Sequence, residues 1–310
     1  MRQILSGFPV RPVGRQDPGR GSVQLHGGRG GRSLTKHRRS FKVGAGAVNS
    51  ILIFGCGNMG GAMLAGWLRG GMDPARFTVV DPFLAAVPQG VTLLREVPAT
   101  RFDAVVLGIK PQMLDDAAPA LAQLVGGETV IISMLAGVEL ASLAARFPAA
   151  RSLVRVMPNL AAAIGKSPIA LFGQGLDASL RGSMEALMAP LGTPEWLADE
   201  GQLDAVTALA GSGPAFVYRF IDGLAAAGAE LGLQPDQARR LALAMVEGAS
   251  ALAAASPDSP AELARKVTSP GGTTAAGLAV LDKDEALARL VEATLRAARD
   301  RGAELARAAR

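Results

Sequence analysis

The chain has 310 residues, 49% hydrophobic and 19% charged, which is enough apolar material for real cores and too much for a disordered chain. Aromatics make up 4%, too few for platforms that stack single-stranded nucleic acid, and the lone Cys56 can form neither an internal disulfide nor a cysteine zinc cage. The net charge of +5 is unevenly placed: residues 1–49 carry ten Lys or Arg against one acid, Asp17, which leaves residues 50–310 at −4. Both histidines, His26 and His37, lie in that same stretch, so residues 50–310 hold no Ser-His-acid triad and no His-ligated metal.

Residues 1–49 are rich in Gly, Arg and Pro and lack apolar periodicity, so this basic extension is expected to be disordered. Three readings fit it: an organellar transit peptide, a nucleic-acid-binding arm, or translated sequence upstream of a start near Val48, the last being preferred. The charge-free run from Val43 to Leu68 imitates a membrane span, but its seven glycines and its split into a short strand and a separate helix argue against one. A cytoplasmic protein with no membrane or nucleic-acid partner is the expectation.

Ile51–Phe54 reads as a buried strand running into Gly55-Cys56-Gly57-Asn58-Met59-Gly60, with helical spacing after it. This is G-x-G-x-x-G between strand and helix, the context in which its amides cradle a dinucleotide pyrophosphate. A second strand, Phe77–Val80, ends at Asp81, 24 residues beyond Gly57, where an acid reads the ribose hydroxyls. Its charge would repel a 2′-phosphate, so it leans toward NADH over NADPH; the plainer alternative is an Asp that starts a turn before Pro82. Further strands are expected at 103–109, 129–133 and 153–157, with a helix over 113–125 between the first two. Alternating strands and helices imply a doubly wound parallel sheet with its ligand at the C-terminal strand ends.

From residue 178 onward strand signals give way to Ala/Leu-rich helices, roughly 178–191, 201–232, 235–255, 260–267 and 273–308. Residues 50–158 are therefore read as a nucleotide-binding domain, 159–177 as a link and 178–310 as a helical domain. Ala210-Gly211-Ser212-Gly213-Pro214-Ala215 is expected to kink its helix. Thr268-Ser269-Pro270-Gly271-Gly272-Thr273-Thr274 reads as a loop before a helix capped by Thr273 or Thr274. One cap explains one hydroxyl; the cluster offers several hydroxyls and amides suited to a small carboxylate or imine.

These motifs, with Ile109-Lys110-Pro111, Ala136-Gly137-Val138, Val156-Met157-Pro158-Asn159 and the block from Pro260 to Asp282, give residues 51 to about 305 a resemblance to the pyrroline-5-carboxylate reductase family. The resemblance implies an α/β N-terminal Rossmann domain binding NADPH or NADH and an all-α C-terminal dimerisation domain. It implies a homodimer or a higher ring such as a decamer, reducing 1-pyrroline-5-carboxylate to L-proline in proline biosynthesis. Carried onto this chain, the substrate residues are Ser269, Gly271, Gly272, Thr273 and Thr274, with Glu200 at the substrate side and the Thr274 hydroxyl on the imine nitrogen. Gly108, Ile109, Lys110, Pro111, Met134 and Ala136 would lie against the cofactor, and Lys266 stands where some relatives place an Asn that contacts it. The chain departs from the family at Leu160-Ala161, where Thr-Pro is common, and at Asp81-Pro82. A hydroxyacid dehydrogenase of similar plan is the nearest rival, but the helix after Pro214 offers Arg219 where that family places a Lys; a sensor that only binds its ligand is the other.

Overall fold

The computed structural model describes residues 48–308, with side chains to 304. The chain opens β1 (Ile51–Phe54), α1 (Asn58–Arg69), β2 (Phe77–Val80), β3 (Thr92–Leu94), β4 (Ala104–Leu107), α2 (Leu114–Ala122), β5 (Val130–Ser133), α3 (Leu140–Arg146) and β6 (Ser152–Met157). These six strands are parallel, in the order β3-β2-β1-β4-β5-β6. Alternation along each strand sends side chains to two faces. Ile51, Ile53, Phe77 and Val79 pack with Met63, Leu64 and Trp67 of α1, while Leu52, Val80, Val105 and Leu107 pack with Leu114 and Leu121 of α2 and Leu140 and Leu143 of α3.

The sheet continues where a link and then helices were expected. β7 (Ser167–Gln174) runs antiparallel to β6, and β8 (Gly192–Trp196) adds parallel to β7 beyond α4 (Ala178–Met188), so the sheet has eight strands and is not wholly parallel. Trp67 ties the old and new parts together. Its ring stacks on Phe77 at 5.4 Å and its Nε1 donates to the Leu187 carbonyl at 2.7 Å.

Helices follow: α5 (Gln202–Val206), α6 (Gly213–Glu230), α7 (Pro235–Ala255), α8 (Pro260–Lys266), α9 (Thr273–Leu281) and α10 (Ala286–Ala308). Between α5 and α6 the expected kink is one π-type turn, Thr207–Gly211, and Asn159 from the end of β6 donates its Nδ2 to the Ala210 carbonyl exposed there at 3.0 Å. The expected single helix over 273–308 is two. Asp284 and Glu285 have φ of +52° and +58°, which a continuing right-handed helix cannot adopt. α6 and α7 pack as a hairpin and α10 returns to α5 and the π turn, yet Val217, Tyr218, Phe220, Leu241, Val280 and Leu290 remain exposed. No described helix is long and apolar enough to cross a membrane.

Candidate active site

β1 ends at Gly55, whose φ of +84° an L side chain rarely adopts, and its N–H donates to Val80 O at 2.9 Å. A Cβ on Gly60 would lie 2.7 Å from Gly55 O, so only glycine there lets α1 pack this closely on the loop. Gly57 faces open space, with nothing within 4 Å of where its Cβ would be. The first-turn amides of α1, at Asn58, Met59 and Gly60, have no partner within the helix, and no acidic side chain stands in that turn to compete for them. The cradle thus fits a pyrophosphate.

Asp81 performs a different task from the one its position suggests. Its Oδ2 accepts from Cys56 N–H at 2.9 Å, and its Oδ1 accepts from Phe83 N–H and Leu84 N–H at 2.9 and 3.1 Å. The carboxylate therefore ties the glycine loop to the turn after β2, combining the turn-starting Asp with a brace, and Oδ2 keeps room for one further donor. Arg95, which sequence reasoning missed, clamps the same turn from the end of β3, its Nη1 donating to Asp81 O and Leu84 O at 2.9 and 2.7 Å. Cys56, expected among the cofactor residues, is buried in the core with its N–H already given to Asp81. Burial first, and the Asp81 charge second, push its thiol up to about 11.

Gly108, Ile109, Lys110 and Pro111 leave the end of β4 beside this loop. Gly108 N–H donates to Phe54 O at 2.8 Å, Ile109 packs over Gly55, and Met134, leaving β5, brings its methyl close to Gly108. Ala136 is exposed two residues on. Twelve of the fourteen expected cofactor positions, 55–60, 81, 108–111, 134 and 136 without the buried Cys56, lie in the segments that follow the C-terminal ends of β1, β2, β4 and β5. Lys266 is the other exception: its Nζ pairs with Asp258 Oδ2 at 2.6 Å on α8, in the helical region.

Ser269, Gly271, Gly272, Thr273 and Thr274 form a turn entering α9. Gly271 has φ of +69°, and Gly272 N–H donates to Ser269 O at 3.0 Å. The helix N-cap is Gly272, not Thr273 or Thr274 as expected, so neither threonine spends its hydroxyl on capping. Among the described residues the hydroxyls of Ser269, Thr273 and Thr274 have no protein partner and are exposed. The Gly272 amide is committed to the turn, leaving those of Gly271, Thr273 and Thr274 as donors. Within one chain the element α9 packs on most is the Lys283–Glu285 turn, with no comparable packing against α1 or the strand ends that carry the glycine loop.

Glu200, expected at the substrate side, is tied to β6 and α3 by one oxygen: its Oε1 accepts from Arg155 Nη1 at 2.8 Å and from Leu140 N–H at 2.7 Å, and the side chain stays partly exposed. Arg155 is 6% exposed. A charge inside the apolar run Leu153–Met157 was the signal in sequence that this partner existed.

A Rossmann-type sheet with an open dinucleotide cradle, followed by helices bearing a hydroxyl-rich loop, defines an oxidoreductase of the nicotinamide-dependent kind. Residues 50–137 match the family model described as NADP oxidoreductase, coenzyme F420-dependent, and residues 200–305 match the one described as pyrroline-5-carboxylate reductase dimerisation. The chain belongs to the pyrroline-5-carboxylate reductase family. It is 35% identical to the pyrroline-5-carboxylate reductase of Pseudomonas aeruginosa over 83% of this chain and 96% of that protein. It is 32% identical to that of Pasteurella multocida over 83% and 98%. The solved Coxiella burnetii pyrroline-5-carboxylate reductase superposes with a TM-score of 0.78 at 30% identity, over 84% of this chain and 98% of that one.

Proposed function

We propose that this chain reduces the C=N bond of 1-pyrroline-5-carboxylate to give L-proline, using NADPH or NADH. The observation that carries the reading is the pairing, in a chain of this family, of an open pyrophosphate cradle with a loop whose three hydroxyls and three amides lack partners among the described residues. The reduced nicotinamide, when bound, supplies the hydride. The protein's own work is to hold the imine: the amides of Gly271, Thr273 and Thr274 with the Ser269 hydroxyl suit its carboxylate, and the Thr274 hydroxyl suits its nitrogen. An imine nitrogen is basic enough to take its proton from solvent, consistent with the absence of His from residues 50–310.

Because the helix that the loop enters packs chiefly on the Lys283–Glu285 turn within one chain, the site is proposed to be shared between two copies, through the apolar side chains left exposed on α6, α7, α9 and α10. Assembly of such dimers into a ring such as a decamer, a cytoplasmic location and the division at 50–158, 159–177 and 178–310 belong to the same proposal. Asp81, the carboxylate after β2 whose Oδ2 keeps room for one further donor, supports NADH over NADPH.

The test is to follow nicotinamide oxidation with pyrroline-5-carboxylate, supplying NADH and NADPH in separate reactions. Proline formation is expected, faster with NADH. Turnover of a 2-keto or 3-hydroxy acid and none of the imine would overturn the reading.

A further inference from the structure

One carboxylate oxygen bonds the residue at which the loop after β5 enters α3 and a side chain on the strand paired beside that loop's start. The loop runs from Met134 to Glu139 between β5 and α3, and the bonds it makes include Met134 N–H to Leu107 O at 3.2 Å, Leu135 N–H to Ser133 Oγ at 3.2 Å and Val138 N–H to Leu135 O at 3.4 Å. Gly137, at φ of +74°, gives it a turn that other residues rarely adopt. Glu200 Oε1 takes the N–H of Leu140, where the loop enters α3, at 2.7 Å. The same oxygen takes Nη1 of Arg155 at 2.8 Å, and Arg155 pairs in register with Ser133, the residue before the loop. Glu200 is also the first residue of the region matched as the dimerisation domain, and its carbonyl accepts from Leu203 N–H at the start of α5.

We infer that Glu200 is a positioning residue for the cofactor: acting through Leu140 and Arg155, it holds the Met134–Glu139 loop against the cleft and joins that loop to the helical region. Its role is exerted through these two protein partners, Leu140 N–H and Arg155 Nη1. A cradle binds tightly only if its walls are set before the ligand arrives, and here a charge-assisted bond from another part of the chain sets one wall. The inference rests on the proposed function only in taking the cleft to bind a nicotinamide dinucleotide.

An ion pair that serves stability alone would look the same in a melting curve, so the test separates the two. Calorimetric titration of full-length protein with NAD⁺ and NADP⁺ is combined with steady-state kinetics and thermal melts for Glu200→Gln and for the double variant Arg155→Met with Glu200→Leu. Replacing both charges by apolar groups commonly restores stability, but Leu cannot accept the Leu140 N–H. Glu200→Gln is expected to raise the dinucleotide Kd about tenfold, with KM for the imine changed by less than about twofold. The double variant is expected to melt near the parent while keeping the raised Kd. A Kd that returns to the parent value together with the melting temperature would make the pair merely structural, and a Kd unchanged in Glu200→Gln, or a rise confined to KM for the imine, would also overturn the inference. Failure of the unaltered protein to bind either dinucleotide would overturn the functional reading first, and this inference with it.

Discussion

Cys56 lies in the middle of the phosphate-binding motif, yet its thiol is a core group. With its pKa up at about 11, it stays protonated at neutral pH, and alkylation of the folded protein by iodoacetamide at pH 8 is expected to be far slower than in denaturant. The sign of the linkage follows. The folded thiol ionises later than the unfolded one, so the stability it contributes is full below pH 9 and is lost as pH climbs to about 11. Urea melts across that window should steepen in their decline for the parent and flatten for Cys56→Ala. Thr274 presents the opposite case, an exposed hydroxyl with no hydrogen-bond partner among the described residues. If it holds the imine nitrogen, Thr274→Ala lowers kcat by about tenfold to a thousandfold, the scale of one lost positioned donor, with dinucleotide Kd unchanged. Unaltered kcat would remove Thr274 from the chemistry. Single residues were legible by type, Asp81 as the acid that starts a turn after β2. Their partners were not, because Phe83, Leu84 and Cys56 contribute only backbone amides, which every residue carries.

The glycine loop gives a prediction at the level of the element, since two of its glycines are there for different reasons. Gly57, at φ of −69°, can become Ala without strain or clash, but the added methyl occupies the space that a pyrophosphate needs. Gly57→Ala is therefore expected to melt like the parent and to bind either dinucleotide at least about tenfold more weakly. Gly60→Ala drives a methyl into Gly55 O and is expected to lower stability by about 1–3 kcal/mol, measurable by denaturant titration. The same level shows why sequence reading stopped short at the sheet edge. β1, β2 and β4–β6 announce themselves as apolar runs buried on both faces. β7 begins Ser167-Pro168 and contains Gly173, and β8 reads Gly192-Thr193-Pro194-Glu195-Trp196, compositions of turns. Their strand state comes from pairing with β6 and with each other, a long-range condition that no local pattern encodes. The break between α9 and α10 was hidden for a related reason, since Asp284 and Glu285 are ordinary helix residues placed in left-handed geometry.

For the whole molecule, the glycine loop and the strand ends beside it come from one stretch of the chain, the hydroxyl loop enters a helix that packs chiefly on the Lys283–Glu285 turn, and the side chains exposed on the helices are those of an interior. Tyr218 is 67% exposed, Val280 72% and Leu290 66%. Exposed apolar groups on this scale call for a partner surface, and the match of residues 200–305 to a dimerisation model says where it lies. A charge placed there separates two functions that the intact assembly performs together. Leu290→Glu on α10 removes no contact with the sheet, so the monomer should keep its fold and its dinucleotide affinity. Sedimentation velocity is expected to show the mass of one chain, and turnover of the imine is expected to vanish because Ser269 and Thr274 no longer meet the nicotinamide of a second copy. A monomer that retains turnover would mean that α9 reaches the cleft of its own chain and that the shared site is wrong. A dimer that persists with turnover lost would instead place Leu290 itself in the site.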